Sequence, residues 1–266
     1  MTTNAAPLTG KVAILTGAAT IFGIAVAQEL VDQGAHIYLV DINRAGLAEA
    51  LNQCGAAASG LCTDITSDTG ISEIVSQTTA TWGGIDLLIN LACSYEDSGA
   101  DSTREEWMNT FNVNVASAAM LAQAVRPHMV KRGGGSIVNL TSISSKVAQI
   151  GRWTYPVSKA AMVQLTRNMA MDFAPDHIRV NSVSPGWTWS AIMDSLSGGN
   201  RQKTDAVAAP FHLTQRVGDP REVARVIAFL CSDASSVVTG ADWAADGGYS
   251  AMGPEQATPA IPLLME

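Results

Sequence analysis

Short apolar segments alternate with longer helical patterns along this chain, and this rhythm constrains the fold more than any other feature. The apolar segments are continuous, as expected for strands that are covered on both faces. Strands and helices in alternation favour one α/β domain with a parallel sheet and right-handed crossovers. The predicted strands are 12–15, 35–40, 57–62, 86–90, 135–140, 178–183 and 241–244, and the predicted helices are 22–33, 67–81, 104–131, 153–173 and 220–232.

The composition excludes several classes of protein. The 266 residues are 47% hydrophobic and 15% charged, which is typical of a globular domain and not of a disordered or coiled-coil chain. The net charge is −8 without a basic run, so nucleic acid and anionic membranes are poor partners. The four cysteines form no CxxC pair, which argues against a metal site or disulfides and favours a cytoplasmic location. The sequence predicts neither a signal peptide nor a membrane span.

The turn after the first predicted strand consists mostly of small residues and leads into a helix. It runs from Gly17 to Gly23. Such a turn lets the pyrophosphate of a dinucleotide approach the backbone, and the helix N-terminus supplies free N–H groups. Asp41 ends the second strand, where a carboxylate can accept from ribose hydroxyls and repel a 2′-phosphate. These features favour a dinucleotide site, although Gly17 by itself could serve only a tight turn.

A second candidate site combines Ser142 with Tyr155 and Lys159. Ser142 ends a predicted strand, and the carboxyl ends of parallel strands form the ligand crevice of an open α/β sheet. Tyr155 and Lys159 are four residues apart and share one helix face. A nearby cation would favour the phenolate, so Tyr155 is a candidate general acid/base for interconverting an alcohol and a carbonyl. A Tyr–Lys pair alone also fits an ordinary helix surface.

Together with further motifs in the same order, these residues carry a family resemblance. From Leu8 to about Tyr249 the chain resembles the short-chain dehydrogenase/reductase superfamily in its compact form. The matching motifs are Thr16-Gly17…Gly23, Asp64, Asn90-Leu91-Ala92-Cys93, Asn114, Ser142, Tyr155-x-x-x-Lys159, Pro185-Gly186 and Asp246-Gly247-Gly248. The resemblance implies a doubly wound, Rossmann-type sheet of seven parallel strands with helices on both faces, a nicotinamide cofactor and a homotetramer.

The resemblance also assigns roles to matching residues. Tyr155 is expected to donate or accept the proton, and Ser142 to hold the substrate oxygen. Lys159 is expected to bind the nicotinamide ribose and lower the pKa of Tyr155, while Asn114 holds a water that links Lys159 to solvent. The other expected cofactor contacts are Gly17, Thr20, Ile21, Phe22, Asp41, Ile42, Asp64, Ile65, Asn90, Ala92, Pro185, Gly186, Thr188 and Ser190. Asp41 followed by neutral Ile42 favours NAD over NADP, with Arg44 as the nearest cation.

Two positions depart from the family pattern. Ile21 stands where a central glycine is usual, and a β-branched residue disfavours positive φ and fills space near the phosphates. Cys93 stands where the last glycine of Asn-Asn-Ala-Gly is usual, and it fits either a reactive thiol or a small buried hydrophobe. Both changes concern the cofactor pose and leave the catalytic groups in place.

Aromatic residues mark the expected substrate region. Trp187 and Trp189 fall in segment 187–212, which the resemblance identifies as a lid over the substrate. The expected substrate contacts are Tyr95, Ser144, Gln149, Trp187 and Trp189. Aromatic walls favour apolar or ring-bearing ligands. We therefore expect a neutral, hydrophobic, cyclic or aryl secondary alcohol or ketone, with Lys146 and Arg152 as the two cations close enough to be exceptions.

Several alternatives stay open at this point. Polyols and short hydroxy acids are the next substrate classes. An acyl-carrier ketoreductase would benefit from a basic patch, of which the sequence offers little beyond Arg126, Lys131 and Arg132. A non-catalytic dinucleotide sensor would account for the two departures but does not need the complete set of catalytic residues.

The chain predicts one NAD-binding catalytic domain over 1–250 and a tail over 251–266. Within the domain, segment 187–210 is expected to be mobile or appended. In the tail, the apolar stretch 261–265 is expected to pack at a subunit interface, with a frayed terminus as the alternative.

Overall fold

The computed structural model describes residues 6–253 and residue 262. Seven parallel strands form one sheet in the order β3-β2-β1-β4-β5-β6-β7. The strands are β1 (Val12–Thr16), β2 (His36–Asp41), β3 (Ala58–Cys62), β4 (Leu87–Asn90), β5 (Gly135–Leu140), β6 (Ile178–Pro185) and β7 (Asp242–Ala245). The strand order reverses between β1 and β4, and ligand crevices of doubly wound sheets lie at such a switch point.

Helices cover both faces of the sheet and form two apolar cores with it. They are α1 (Ile21–Asp32), α2 (Arg44–Cys54), α3 (Asp68–Trp82), α4 (Arg104–Phe111), α5 (Ser117–Lys131), α6 (Thr154–Phe173), α7 (Ala191–Ser197), α8 (Arg201–Ala208) and α9 (Pro220–Cys231). One core lies under α1, α2 and α9, and the other under α3, α5 and α6. The predicted single-domain, doubly wound fold is confirmed.

The predicted strands all form, with bounds that move by at most two residues. The predicted helix 104–131 is present as α4 and α5 with a π-helical turn, Asn112–Ala116, between them. Helix α2 was not predicted, because its sequence is poor in large apolar residues and includes Gly46. A Cβ at Gly46 would lie 2.7 Å from the Ala19 Cβ, so this glycine lets α2 approach the turn after β1.

Segment 187–212 contains the short helices α7 and α8. Within the part of the chain that the structure describes, no helix has both the length and the apolar character that a membrane crossing needs. Most of the predicted tail, including the apolar stretch 261–265 apart from residue 262, lies outside the described residues.

Candidate active site

The turn between β1 and α1 leaves no room for side chains at its two glycines. Gly17 has φ +72°, in the left-handed region that favours glycine, and a Cβ there would lie 2.8 Å from the Ala92 nitrogen. A Cβ at Gly23 would approach the Gly17 carbonyl oxygen more closely than van der Waals contact allows. Thr20 caps α1, since its Oγ1 accepts from the Gly23 N–H at 2.9 Å.

The first turn of α1 offers main-chain donors to the crevice. Among the described residues, no acceptor meets the N–H groups of Ile21 and Phe22. The Ile21 side chain is 42% exposed and lies outside the core. A helix N-terminus with free donors attracts phosphate. The turn therefore fits the pyrophosphate of a dinucleotide despite the isoleucine in its centre.

Asp41 lies beside this turn at the end of β2. Its Oδ2 accepts from the Ala19 N–H at 2.9 Å, and its Oδ1 accepts from the Asn43 N–H at 2.8 Å. The carboxylate is partly exposed and has lone pairs left for ribose hydroxyls. Ile42, the next residue, is 73% exposed and brings no positive charge. Asp41 thus shapes the turn and sets its charge at the same time.

The expected adenine contacts follow the neighbouring strand. Asp64 is exposed just beyond β3, and its Oδ1 accepts from the Thr66 N–H at 2.8 Å. Ile65 beside it is 8% exposed and belongs to the core under α3. These two residues therefore combine a polar group at the surface with an apolar group beneath it.

Two expected contacts, one at the end of β4 and one just after it, support the crevice from behind. Asn90 is buried and donates to Asn139 Oδ1 at 2.9 Å, which ties β4 to β5. The Ala92 N–H donates to Thr16 Oγ1 at 3.2 Å, which ties the segment after β4 to the end of β1. Asn90 is thus a satisfied buried amide that holds the sheet together.

Four expected cofactor contacts follow one another at the end of β6, namely Pro185, Gly186, Thr188 and Ser190. A Cβ at Gly186 would lie 2.7 Å from the Asp246 carbonyl oxygen, so this glycine is required by a close approach of two backbones. Thr188 pairs with Gly218 in an isolated bridge. Ser190 caps α7 by accepting from the Met193 N–H at 3.4 Å.

Ser142, Tyr155 and Lys159 come together at the carboxyl end of β5. Ser142 is 9% exposed, and its hydroxyl donates to Ser144 Oγ at 3.1 Å. Tyr155 and Lys159 are buried at the start of α6, with the ammonium nitrogen 5.6 Å from the centre of the phenol ring. Lys159 donates to the Leu140 carbonyl oxygen at 2.8 Å, and this bond holds the ammonium group of α6 against the end of β5. The three candidate catalytic groups therefore share one corner of the crevice.

The environment of the phenol favours its protonated form. Burial raises the pKa of Tyr155, and the neighbouring Cys93 acts in the same direction. The hydrogen bond with Ser142 and the charge of Arg152 lower the pKa of Tyr155, but burial prevails. Burial also raises the pKa of the Cys93 thiol against the opposing effect of Lys159, which favours the small buried hydrophobe over a reactive thiolate.

Asn114 lies in the π-helical turn Asn112–Ala116, which interrupts the long helix behind the site. Its Oδ1 accepts from the Ser94 N–H at 2.7 Å, and its amide donates to the Ser94 carbonyl and to Ser158 Oγ, both at 3.0 Å. Both amide protons are therefore used in tying the segment after β4 to α6. The water expected to bind Asn114 has no donor left on this side chain.

Asp97, which sequence reasoning did not single out, holds the start of the helix that carries Tyr155. Its carboxylate accepts from the N–H groups of Trp153, Tyr155 and Gly99 at 2.8, 3.1 and 3.0 Å. Burial alone would raise the pKa of Asp97, but these hydrogen bonds outweigh it and lower that pKa. Asp97 thus caps the helix that carries Tyr155. No local pattern indicates this, because Asp97 and Tyr155 are 58 residues apart.

The expected substrate contacts are divided between the crevice and the lid. The Tyr95 ring stacks on the Tyr155 ring with centroids 5.0 Å apart, and Tyr95 is 55% exposed. Trp187 stacks on Phe211 at 5.3 Å and meets the edge of His212 at 5.9 Å. Tyr95 therefore presents an aromatic surface directly beside the phenol, whereas Trp187 packs within the lid segment.

The remaining expected substrate contacts are held by polar partners. Trp189 lies under the guanidinium of Arg201, 5.0 Å from its carbon. Ser144 donates to Gln149 Oε1 at 2.8 Å and accepts from Ser142, so these three side chains form a chain that leads out from the catalytic serine. The Gln149 side chain, at the outer end of this chain, can form hydrogen bonds with polar groups of a ligand.

Known proteins resemble this chain in sequence and in fold. A family model described as enoyl-(acyl carrier protein) reductase matches residues 17–250. A cis-4-hydroxycyclohexanecarboxylate dehydrogenase of Sinomonas cyclohexanicum is 33% identical and aligns with 91% of this chain and 97% of its own length. The crystal structure of a short-chain type dehydrogenase/reductase from Mycobacterium marinum has a TM-score of 0.85 at 32% identity, covering 94% of this chain and 99% of its own.

The chain belongs to the short-chain dehydrogenase/reductase family. It is accordingly an oxidoreductase of the alcohol/ketone class that binds a nicotinamide dinucleotide and acts on a small molecule. The family extends to sugar substrates, since the L-sorbose reductase of Gluconobacter frateurii, crystallised with NADPH and L-sorbose, has a TM-score of 0.87 at 27% identity, covering 94% of this chain and all of that one. Family membership therefore determines neither the choice between NAD and NADP nor the substrate.

Proposed function

We propose that this short-chain dehydrogenase/reductase interconverts a hydrophobic, ring-bearing secondary alcohol and its ketone with NAD(H). The observation that carries the reaction is the meeting of Ser142, Tyr155 and Lys159 at the carboxyl edge of the sheet, beside the turn that fits a dinucleotide. A non-catalytic sensor would have no use for this arrangement.

Tyr155, Ser142 and Lys159 each have a separate role in the proton transfer. A nicotinamide supplies or accepts the hydride when it is bound. In ketone reduction the Tyr155 hydroxyl donates its proton to the carbonyl oxygen, and its raised pKa keeps that proton in place until then. Ser142 turns its hydroxyl from Ser144 to the same oxygen. In alcohol oxidation the Lys159 cation helps Tyr155 to act as the base.

The choice of NAD follows from the charge at the end of β2. The Asp41 carboxylate is partly exposed beside the turn, and a 2′-phosphate there would meet a like charge. Ile42 offers that phosphate no cation. Arg44 is exposed at the start of α2 and is the nearest basic side chain in sequence.

The ring-bearing substrate follows from the surface next to Tyr155. The exposed face of Tyr95 continues the stacked pair outward, and aromatic faces favour flat or cyclic apolar ligands. The name of the Sinomonas relative describes a cyclic secondary alcohol as its substrate, which supports the same class here. Polyol oxidation is the second candidate, which the sorbose-binding relative favours.

The test is a specificity screen with both dinucleotides. Alicyclic and aryl secondary alcohols, polyols and short acyclic hydroxy acids are compared by kcat/KM. We expect the ring alcohols to rank first. A higher rank for polyols or acyclic hydroxy acids would overturn the substrate class, and binding of NADH without turnover of any alcohol or ketone would favour the sensor.

We also propose that the protein is a cytoplasmic homotetramer. An apolar groove of about 680 Å³ lies on the surface formed by α4, α5 and α6. Its apolar lining is Met108, Phe111, Val115, Ala116, Ala119 and Leu165. A second copy of the chain would cover this groove, and light scattering of the purified protein measures the mass directly.

A further inference from the structure

Arg152 places a cation beside the candidate catalytic tyrosine. The guanidinium carbon of Arg152 is 5.0 Å from the centre of the Tyr155 ring. An arginine that stacks on a ring uses its flat face, and its N–H donors point outward along the edge of the guanidinium. Because the distance to the phenol is short, one small molecule can contact Tyr155 and Arg152 together.

The acid nearest to Arg152 is already occupied. Arg152 Nε lies 3.4 Å from Asp97 Oδ2 and forms no hydrogen bond with it. The Asp97 oxygens instead accept from the Trp153 and Tyr155 N–H groups at the start of α6 and from the Gly99 N–H. Among the described residues, nothing accepts from the two terminal nitrogens of Arg152, and its side chain is 36% exposed. Its charge is therefore only partly compensated, and its side chain is partly exposed.

Lys146, the other cation expected near the crevice, is different. Its ammonium nitrogen lies 2.9 Å from Asp242 Oδ2, and the side chain of Asp242 is 7% exposed. This ion pair ties the segment after β5 to β7 and neutralises Lys146. Of the two exceptions to a neutral substrate, Lys146 lies at 2.9 Å from its carboxylate, whereas the Arg152–Asp97 distance is 3.4 Å, so the Lys146 charge is the better compensated.

We propose that Arg152 binds a carboxylate of the substrate, so that the natural substrate is a ring-bearing hydroxy or keto acid. This inference rests on the proposed function and replaces the neutral ligand expected from sequence. A guanidinium with two free donor groups matches the two oxygens of a carboxylate. The name of the Sinomonas relative, a hydroxycyclohexanecarboxylate dehydrogenase, describes this combination of a ring, an alcohol and an acid.

Matched pairs of substrates test the idea. Each pair consists of an acid and a neutral analogue with the same reacting alcohol: 4-hydroxycyclohexanecarboxylate with 4-methylcyclohexanol, and 4-(1-hydroxyethyl)benzoate with 1-phenylethanol. We expect the wild-type protein to prefer the acid of at least one pair. Arg152→Gln should lower kcat/KM for that acid by about 10- to 100-fold more than for its neutral partner, with the additional loss mainly in KM. Arg152→Lys should restore part of the loss.

The controls separate the possible failures. Arg167→Gln removes an exposed arginine further along α6 and should leave the preference unchanged. A wild-type preference for both neutral alcohols would overturn the inference. Equal losses of kcat/KM for acid and neutral substrates in Arg152→Gln would also overturn it, because they would show that Arg152 acts only through Tyr155 and does not bind a carboxylate. If neither member of any pair reacts, the proposed function itself fails.

A second measurement does not depend on the variant folding. Cyclohexanecarboxylate lacks the alcohol and cannot react, so it should inhibit the wild-type protein competitively against a ring alcohol. Its methyl ester should inhibit at least about tenfold more weakly, because the ester cannot form a charge-assisted pair with Arg152. Equal inhibition by acid and ester would contradict the proposal.

Discussion

The two ends of the crevice are built from different parts of the chain. At the dinucleotide end the backbone sets the shape of the crevice. A Cβ has no space at Gly17, Gly23 or Gly186, because each lies close to other main-chain atoms. At the catalytic end it depends on side chains, with Tyr155 and Lys159 presented by one helix. Substitutions at the first end should therefore damage structure and binding together, whereas those at the second should remove chemistry and leave the fold.

Tyr155→Phe is the sharpest test of this division. The substitution removes the hydroxyl that exchanges the proton with the substrate and should lower kcat by on the order of 10²–10⁴. The Kd for NADH, measured by fluorescence titration, should stay within about threefold of the wild-type value. As a control, Tyr38→Phe removes a buried hydroxyl that bonds Gln77 of α3, away from the candidate catalytic residues, and should leave kcat unchanged. Near-normal turnover in Tyr155→Phe would show that another group moves the proton.

Gly23→Ala tests the opposite end. The new methyl group would meet the Gly17 carbonyl oxygen and lie 2.8 Å from the Ala18 Cα, so the turn or α1 has to move. Overpacking of this kind costs about 1–3 kcal/mol, which exceeds the helix-propensity gain of up to about 1 kcal/mol from replacing glycine. We expect a lower free energy of unfolding in urea together with weaker NADH binding. Gly253→Ala, where nothing lies within 4 Å, is the matched control.

The turn at the dinucleotide end could be recognised in the sequence because the residues that indicate it are close together along the chain. The turn from Gly17 to Gly23 lies between a predicted strand and a predicted helix, and the position of Asp41 follows from the next strand. Helix α2 was missed although a crossover between parallel strands requires it, since Gly46 and a weak apolar pattern hid it.

The surroundings of the phenol were harder to predict because they depend on tertiary contacts. Ser142, Tyr155 and Lys159 follow from strand ends and helix spacing. The positions of Asp97 and of the Arg152 guanidinium do not, because each depends on how the segment after β4 packs on the start of α6. The predicted lowering of the Tyr155 pKa by Lys159 also omitted the burial that raises it in the folded protein.

Asp41→Asn separates shape from charge at the dinucleotide end. The amide oxygen can still accept from the Ala19 N–H and keep that support of the turn, whereas the amide nitrogen cannot accept from the Asn43 N–H. The negative charge is lost, and the preference of the wild-type protein for NAD over NADP, measured as the ratio of the two kcat/KM values, should fall by about tenfold. Asp68→Asn, an exposed acid at the start of α3, should leave the ratio unchanged. A wild-type kcat/KM for NADP equal to that for NAD would contradict the assignment of Asp41.

The smallest expected effect concerns α9, which packs behind the dinucleotide end and is joined to α1 by ion pairs from Arg221 to Glu29 and Asp32. The hydrogen bond from Arg216 and that from the Asp219 N–H lower the pKa of Glu222 to about 2. Because the folded-state pKa is depressed, Glu222 contributes stability above its ordinary pKa of 4.5 and loses that contribution as the pH falls toward 2.

Glu222→Gln should therefore lower the free energy of unfolding at pH 7 by less than about 1 kcal/mol, since the ion pair is partly exposed. The difference from the wild-type protein should shrink as the pH drops below about 4.5, and urea unfolding at pH 7, 5 and 4 measures this trend. Glu105→Gln, an exposed acid in the first turn of α4, is the control and should show a smaller difference. Glu222 bonds Arg216 and the Asp219 N–H and no candidate catalytic side chain, so kcat should not change. A loss of kcat in Glu222→Gln would mean that the two ends of the crevice are coupled.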